Sequence, residues 1–128
     1  MNIEELPARP RPVTRGRQRL GAAGEERAAR WYVAHGYEVV ARNWRCRDGE
    51  LDLIVARDRT IVVCEVKTRS SLAYGHPAEA VTPTKQRRIR GLAARWLAEA
   101  EVPFRPDVVR FDVAAVLPRE VSVIEGAF

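Results

Sequence analysis

The chain has 128 residues and a mass of 14.4 kDa, with 46% apolar and 30% charged residues, which fits one ordinary globular domain and excludes a disordered or low-complexity polymer. Twenty-two Lys and Arg against 17 Asp and Glu leave a net charge of +5, a balance that favours a polyanionic partner such as nucleic acid or an acidic membrane face. No apolar run approaches the roughly 18 residues of a membrane span, and two cysteines, Cys46 and Cys64, are too few for a disulfide framework and lack zinc-ligand spacing.

Residues 1–14 interleave Pro7, Pro10 and Pro12 with Arg9 and Arg11. Such a segment reads as a flexible basic tail that cannot join a packed core. Glu4 and Glu5 stand where a signal peptide would carry apolar residues, so the expectation is a soluble, cytoplasmic protein with one domain over 15–128. A helix follows over 15–35, where Leu20, Gly24, Ala28, Trp31 and His35 recur at helical spacing and Gly36 is a natural stop. Tyr37–Trp44 reads as a strand with Tyr37, Val39 and Ala41 on one face, and Asp48-Gly49 as a turn. Two apolar runs, Glu50–Ala56 and Thr60–Lys67, form a hairpin about Arg57, Asp58 and Arg59.

A loop over Ser70–Thr82 contains Gly75, His76 and Pro77, the histidine read as solvent-exposed. The second helix is expected over Pro83–Glu101, with Thr82 or Thr84 as cap and Pro83 in the first turn. Its apolar stripe is Ile89, Leu92, Ala93, Trp96, Leu97 and Ala100. Val108–Val116 and Val121–Glu125 supply a last pair of strands. The order αβββαββ implies an α/β fold, a mixed β-sheet flanked by helices, because the second helix permits a parallel crossover between the third and fourth strands.

With Asp58 and Arg59 as the hairpin turn, Asp52 falls opposite Glu65, and Glu50 opposite Lys67. Alternation puts Glu50, Asp52 and Ile54 on one face with Val63, Glu65 and Lys67. Opposed Cβ atoms are about 4.5–5.5 Å apart, so two carboxylates are pressed together on an otherwise apolar ribbon. A shared proton, a nearby cation or exposure to water can offset that repulsion, and a Glu50–Lys67 pair on a half-exposed polar face accounts for the same spacing. A divalent cation is the most economical answer, since Mg²⁺ commonly takes one or two carboxylates together with substrate phosphates. Only Lys67 and Lys85 among the cationic residues are lysines, which suits a place that needs a compact point charge.

Asp52 followed by Glu65-Val66-Lys67 resembles the D…ExK core of the PD-(D/E)xK nuclease superfamily. More closely, the chain resembles the bacterial YraN-like family, itself similar to archaeal Holliday junction resolvases. The matching stretches are Gly21-Ala22-Ala23-Gly24-Glu25, Gly36-Tyr37, Arg42-Asn43, Gly49 to Ile54, and Glu65 to Arg69. Tyr74-Gly75, Pro77, Ala80-Val81, Lys85 and Arg110-Phe111-Asp112-Val113 continue the match. Leu51 and Cys64 are mild departures at apolar positions.

The resemblance implies a restriction-endonuclease-like fold and Mg²⁺- or Mn²⁺-dependent endonuclease activity on DNA, with branched or flapped structures as the substrate class. It implies Asp52 and Glu65 as metal ligands, the Val66 carbonyl as a third, Glu25 completing the site from the first helix, and Lys67 assisting the nucleophilic water. A two-fold dimer is implied by the same analogy. Lys85, Arg69, Arg87, Arg88, Arg42 and Arg45 are the candidate phosphate contacts. Asp112, inside an apolar strand, is expected to pair with an arginine. Trp31, Trp44 and Trp96 are read as core, and Cys64 as an inert buried thiol. The rival functions are a non-catalytic nucleic-acid-binding module of the same fold and a retaining glycosidase, whose carboxylates stand at a similar distance, about 5–5.5 Å.

Overall fold

The computed structural model describes residues 15–71, 81–102 and 104–128. The expected basic tail and the loop residues Gly75, His76 and Pro77 lie outside them. The elements are α1 (Arg15–Ala34), β1 (Glu38–Cys46), β2 (Gly49–Arg57), β3 (Thr60–Thr68), α2 (Pro83–Glu99), β4 (Val108–Val116) and β5 (Val121–Ile124). They build a mixed α/β fold, a five-stranded sheet in the order β1-β2-β3-β4-β5, parallel between β3 and β4 and antiparallel elsewhere. The parallel pair requires the α2 crossover, and the antiparallel pairs need only short turns.

Each helix covers one face of the sheet. Ala28, Ala29 and Tyr32 of α1 pack on Leu53, Val55, Val62, Cys64, Ala114 and Val116. Ile89, Leu92, Ala93 and Trp96 of α2 pack on Leu51, Ile54, Ala56, Ile61, Val63, Phe111 and Val113. The central strands β2 and β3 are thus buried on both faces, which explains their nearly unbroken apolar runs. The α2 stripe is the one its spacing predicts. The Thr82 hydroxyl caps that helix by accepting from the Lys85 N–H (3.3 Å), and Pro83 fills the first turn.

Three local expectations change. The second helix ends at Glu99, where the extended Ala100 donates its N–H to the Trp96 carbonyl. The first strand continues to Cys46, because Arg45 and Cys46 still have Glu50 and Gly49 opposite them. The register of β1 shifts between Val39 and Ala41, so these two residues pack on opposite faces of the sheet. A bulge of this kind flips side-chain parity, which a period-two reading cannot anticipate.

Asp112 is fully buried and meets four donors. Tyr32 Oη donates to Oδ2 (2.6 Å), Arg110 donates through Nε to Oδ1 (2.8 Å) and through Nη2 to Oδ2 (3.0 Å), and the Gly126 N–H donates to Oδ1 (3.0 Å). The arginine pairing expected for this acid is present, and the network ties α1, β4 and the C-terminal segment together. The Tyr32 hydroxyl is accordingly held far above its usual range by burial, with the nearby Cys64 and Asp112 adding to the effect.

Candidate active site

Asp58 and Arg59 both adopt left-handed backbone, with φ of 49° and 65°, the signature of a two-residue type I′ turn. The Arg59 side chain hydrogen-bonds Asp107 (3.2 Å) and the Arg105 carbonyl. A two-residue turn sets the β2–β3 register, Arg57 opposite Thr60 through to Leu53 opposite Cys64, as the spacing required. The next step along would place Asp52 opposite Glu65, and there the ladder stops.

Among the described residues of β2, Asp52 is the one with no Cα partner in the register of either neighbouring strand. Alternation also fails at this point. Leu51 packs on the α2 side and Leu53 on the α1 side, although residues two apart in a regular strand share a face. Across from this break, β1 carries Asn43 between the Arg42↔Leu53 and Trp44↔Leu51 pairs, with φ of 50°, a left-handed conformation that asparagine visits more readily than most residues. The two strands therefore kink together. At this break the Asp52 side chain reaches β3 directly: Asp52 Oδ2 accepts the Val66 N–H at 2.9 Å.

The carboxylates of Asp52 and Glu65 are neighbours at this kink. Burial, then the Glu65 charge, push the Asp52 carboxyl up to about 7, against the pull of the Val66 N–H. Lys67 Nζ stands 3.5 Å from Glu65 Oε1, and both side chains are largely covered, at 16% and 21% exposure. The third acid arrives from α1. A Cβ at Gly24 would lie 2.1 Å from Thr68 Oγ1, so only glycine lets the helix rest on the end of β3, and that contact sets Glu25 beside the site. Its carboxyl is pushed up to about 7 by burial and by the charges of Asp52 and Glu50, while Arg42 and Arg45 oppose the shift.

Among the described residues, no three His, Cys, Asp or Glu side chains converge closely enough to hold an ion by themselves. Asp52 and Glu65 form the close pair, and Glu25 stands at electrostatic rather than ligating range. Glu50 is paired with Arg45 (3.0 Å), its cross-strand partner, and the cation at Glu65 is Lys67.

The candidate phosphate contacts divide into two groups. Arg42 is bound to Glu26 at 2.6 Å and Arg45 to Glu50, so both serve the site's own charge balance. Lys85, Arg87 and Arg88, at the exposed start of α2, and half-buried Arg69, just after β3, have no carboxylate at ion-pair distance among the described residues. Arg88 packs beside Gly49, which brings the α2 group to the same end of the sheet as Glu50. Sequence reasoning assigned no role to Glu26 and overlooked the structural part of Asn43. The adjacent pairs Glu25-Glu26 and Arg42-Asn43 were the available signals. Trp96 is buried, and Trp31 and Trp44 pack against the cores. Cys64 is buried on the α1 side, where burial pushes its thiol well above the usual range.

The profile described as "Uncharacterised protein family UPF0102" matches residues 24–116, which span both helices and β1 to β4 apart from the first turns of α1. A UPF0102 protein of Beutenbergia cavernae is 59% identical over 103 residues, covering 80% of this chain and 86% of its own. One from Frankia casuarinae is 52% identical over 119 residues, covering 89% and 99%, and one from Nocardia farcinica is 57% identical over 101 residues, covering 79% and 78%. No helix among the described residues is long and apolar enough to cross a membrane.

Proposed function

The chain belongs to the uncharacterised protein family UPF0102, and from that premise, together with the site geometry, we propose that it is a metal-dependent endonuclease that hydrolyses phosphodiester bonds in DNA. The single observation that carries the reading is the Asp52–Glu65 pair, pressed together at a strand kink with Lys67 beside it. Repelling carboxylates in a half-buried position are costly unless a cation or a substrate charge uses them. The order of the elements and the D…ExK spacing support a restriction-endonuclease-like assignment within this reading.

The donors present fit a hard divalent cation. Two carboxylates, completed by phosphate oxygens and water, are the donor set Mg²⁺ favours over an all-protein cage. Asp52 and Glu65 would hold it, with the Val66 carbonyl the further ligand implied by the family resemblance. When bound, Mg²⁺ or Mn²⁺ would polarise the phosphodiester and make a nucleophile accessible near neutral pH.

The chain's own residues do the rest. The Val66 N–H fixes Asp52 Oδ2, so the carboxylate is oriented before any ligand arrives. Lys67 Nζ donates hydrogen bonds toward the attacking water or a non-bridging phosphate oxygen and stabilises the charge that grows there. Glu25, its carboxyl near 7, can accept a proton from that water at the pH of the reaction. Lys85, Arg87 and Arg88 would hold the phosphates of the strand at the start of α2.

The test is a panel of linear, flapped and four-way DNA incubated with Mn²⁺. Nicking by the wild type that disappears in Asp52→Asn and Glu65→Gln supports the proposal. DNA that is bound but never cut overturns it and leaves the non-catalytic module, and DNA cut equally by Asp52→Asn overturns the assignment of the reaction to this site.

A further inference from the structure

Beyond Lys67 the parallel register continues for one more bond, the Arg69 N–H donating to the Val116 carbonyl (2.9 Å). There the two strands part. Between Ser70-Ser71 and the turn over 117–120 lies a groove of about 430 Å³. The Leu117 N–H donates to the Glu120 carbonyl (2.8 Å), so the turn holds its shape without a ligand. Arg27 reaches it from α1, its Nη1 donating to the Leu117 carbonyl at 2.6 Å. Arg119 lines the groove, and Arg69 directly precedes its Ser70 wall in the chain.

None of these three guanidinium groups has a carboxylate at ion-pair distance among the described residues, and Glu120 is the one carboxylate among the lining side chains. Arg119 in the lining and Arg27 at its Leu117 carbonyl, with Arg69 next to Ser70 in the chain, outnumber the one lining acid and make an anion-seeking surface. Its open shape suits a chain that passes along it rather than a small molecule that is enclosed. Ser70 follows Lys67 by three residues, so the groove's Ser70 wall begins no farther than about 10 Å along the backbone from the Lys67 Cα.

We propose that this groove binds the phosphodiester backbone of the same nucleic-acid strand that reaches Lys67, holding the phosphates on the far side of the cleaved bond. The inference rests on the endonuclease reading for which bond is cut, but binding at the groove needs neither metal nor hydrolysis. Arg119 is exposed, so its replacement tests charge without disturbing the fold.

The experiment measures binding of a fluorescent single-stranded DNA to the full chain in EDTA as salt is varied, for wild type, Arg119→Gln and Arg119→Glu. Losing one single-strand phosphate contact lowers the log–log salt slope by about 0.7, which corresponds to roughly 5-fold weaker binding at 0.1 M salt. Arg119→Glu is expected to weaken binding further, and the Ser70 and Ser71 amide resonances to shift as the oligonucleotide is added. Unchanged slopes with both variants, no shifts at Ser70 and Ser71, or no DNA binding by the wild type would overturn the inference. An Arg119 effect on binding in a protein that cuts no DNA with Mn²⁺ would preserve the groove and sink the endonuclease reading instead.

Discussion

Asp52→Asn is expected to make the metal-free protein more stable at pH 8 while removing its response to Mn²⁺. In the folded chain the Asp52 carboxyl titrates at about 7, against 3.8 for the free group. The unfolded chain therefore releases this proton near pH 4 and the folded chain only near pH 7. Between those values the folded state binds more protons, so wild-type stability falls as pH rises through the window and then levels off. At about 1.4 kcal/mol per pH unit, the cost of ionising Asp52 in the folded state at pH 8 is about 4 kcal/mol.

The asparagine removes that charge and keeps an oxygen for the Val66 N–H. The hydrogen bond loses its charge assistance, at about 1 kcal/mol, so the net gain is about 3 kcal/mol. For a domain of this size that raises the melting temperature by roughly 10 °C. The assay is urea denaturation in EDTA at pH 5 and pH 8. The variant is expected to lead at pH 8, and most of the lead is expected to vanish at pH 5, where the wild-type carboxyl keeps its proton. Saturating Mn²⁺ is expected to stabilise the wild type, by about 2.7 kcal/mol at a hundredfold excess over Kd, and to leave the variant where it was. Equal stabilities at pH 8, or a deficit of the variant that is the same at both pH values, would refute the crowding of acids at the strand kink.

Gly24→Ala places a methyl group against Thr68 Oγ1, and is expected to cost roughly 1–3 kcal/mol through overpacking and to weaken nicking by displacing Glu25. Thr68→Ala in the same chain should restore stability in urea titrations. Lys67→Met is expected to lower DNA cleavage at least about 100-fold, the scale of losing one charge-stabilising donor, and to preserve Mn²⁺ binding by calorimetry. Lys67→Arg should not rescue cleavage, since a planar fork does not replace a compact ammonium. Asp112→Asn strips the charge that Arg110 and Tyr32 surround, and is expected to cost about 3–5 kcal/mol, measured by urea unfolding, with Tyr32→Phe costing about 1–3 kcal/mol.

Local pattern was enough for the two helices, the five strands and the turn at Asp58-Arg59. Periodicity and turn chemistry act over a few residues, and the two-residue loop then fixes which residues of the hairpin meet. The same arithmetic brought Asp52 toward Glu65 and predicted an arginine partner for Asp112, because a charge inside an apolar strand has few alternatives. Tertiary structure alone decided how the acids face one another. The paired kink at Asn43 and Asp52 depends on two strands yielding at the same level, and a period-two count along either one passes straight through it. Gly24 shows its purpose only when Thr68 of a distant strand lies against it. The sorting of Arg42 and Arg45 to neighbouring acids, and of Arg27 to the turn that carries Arg119, likewise comes from elements brought together by the fold. Charge is a property of each residue, but the energy of a charge is set by what folding places beside it.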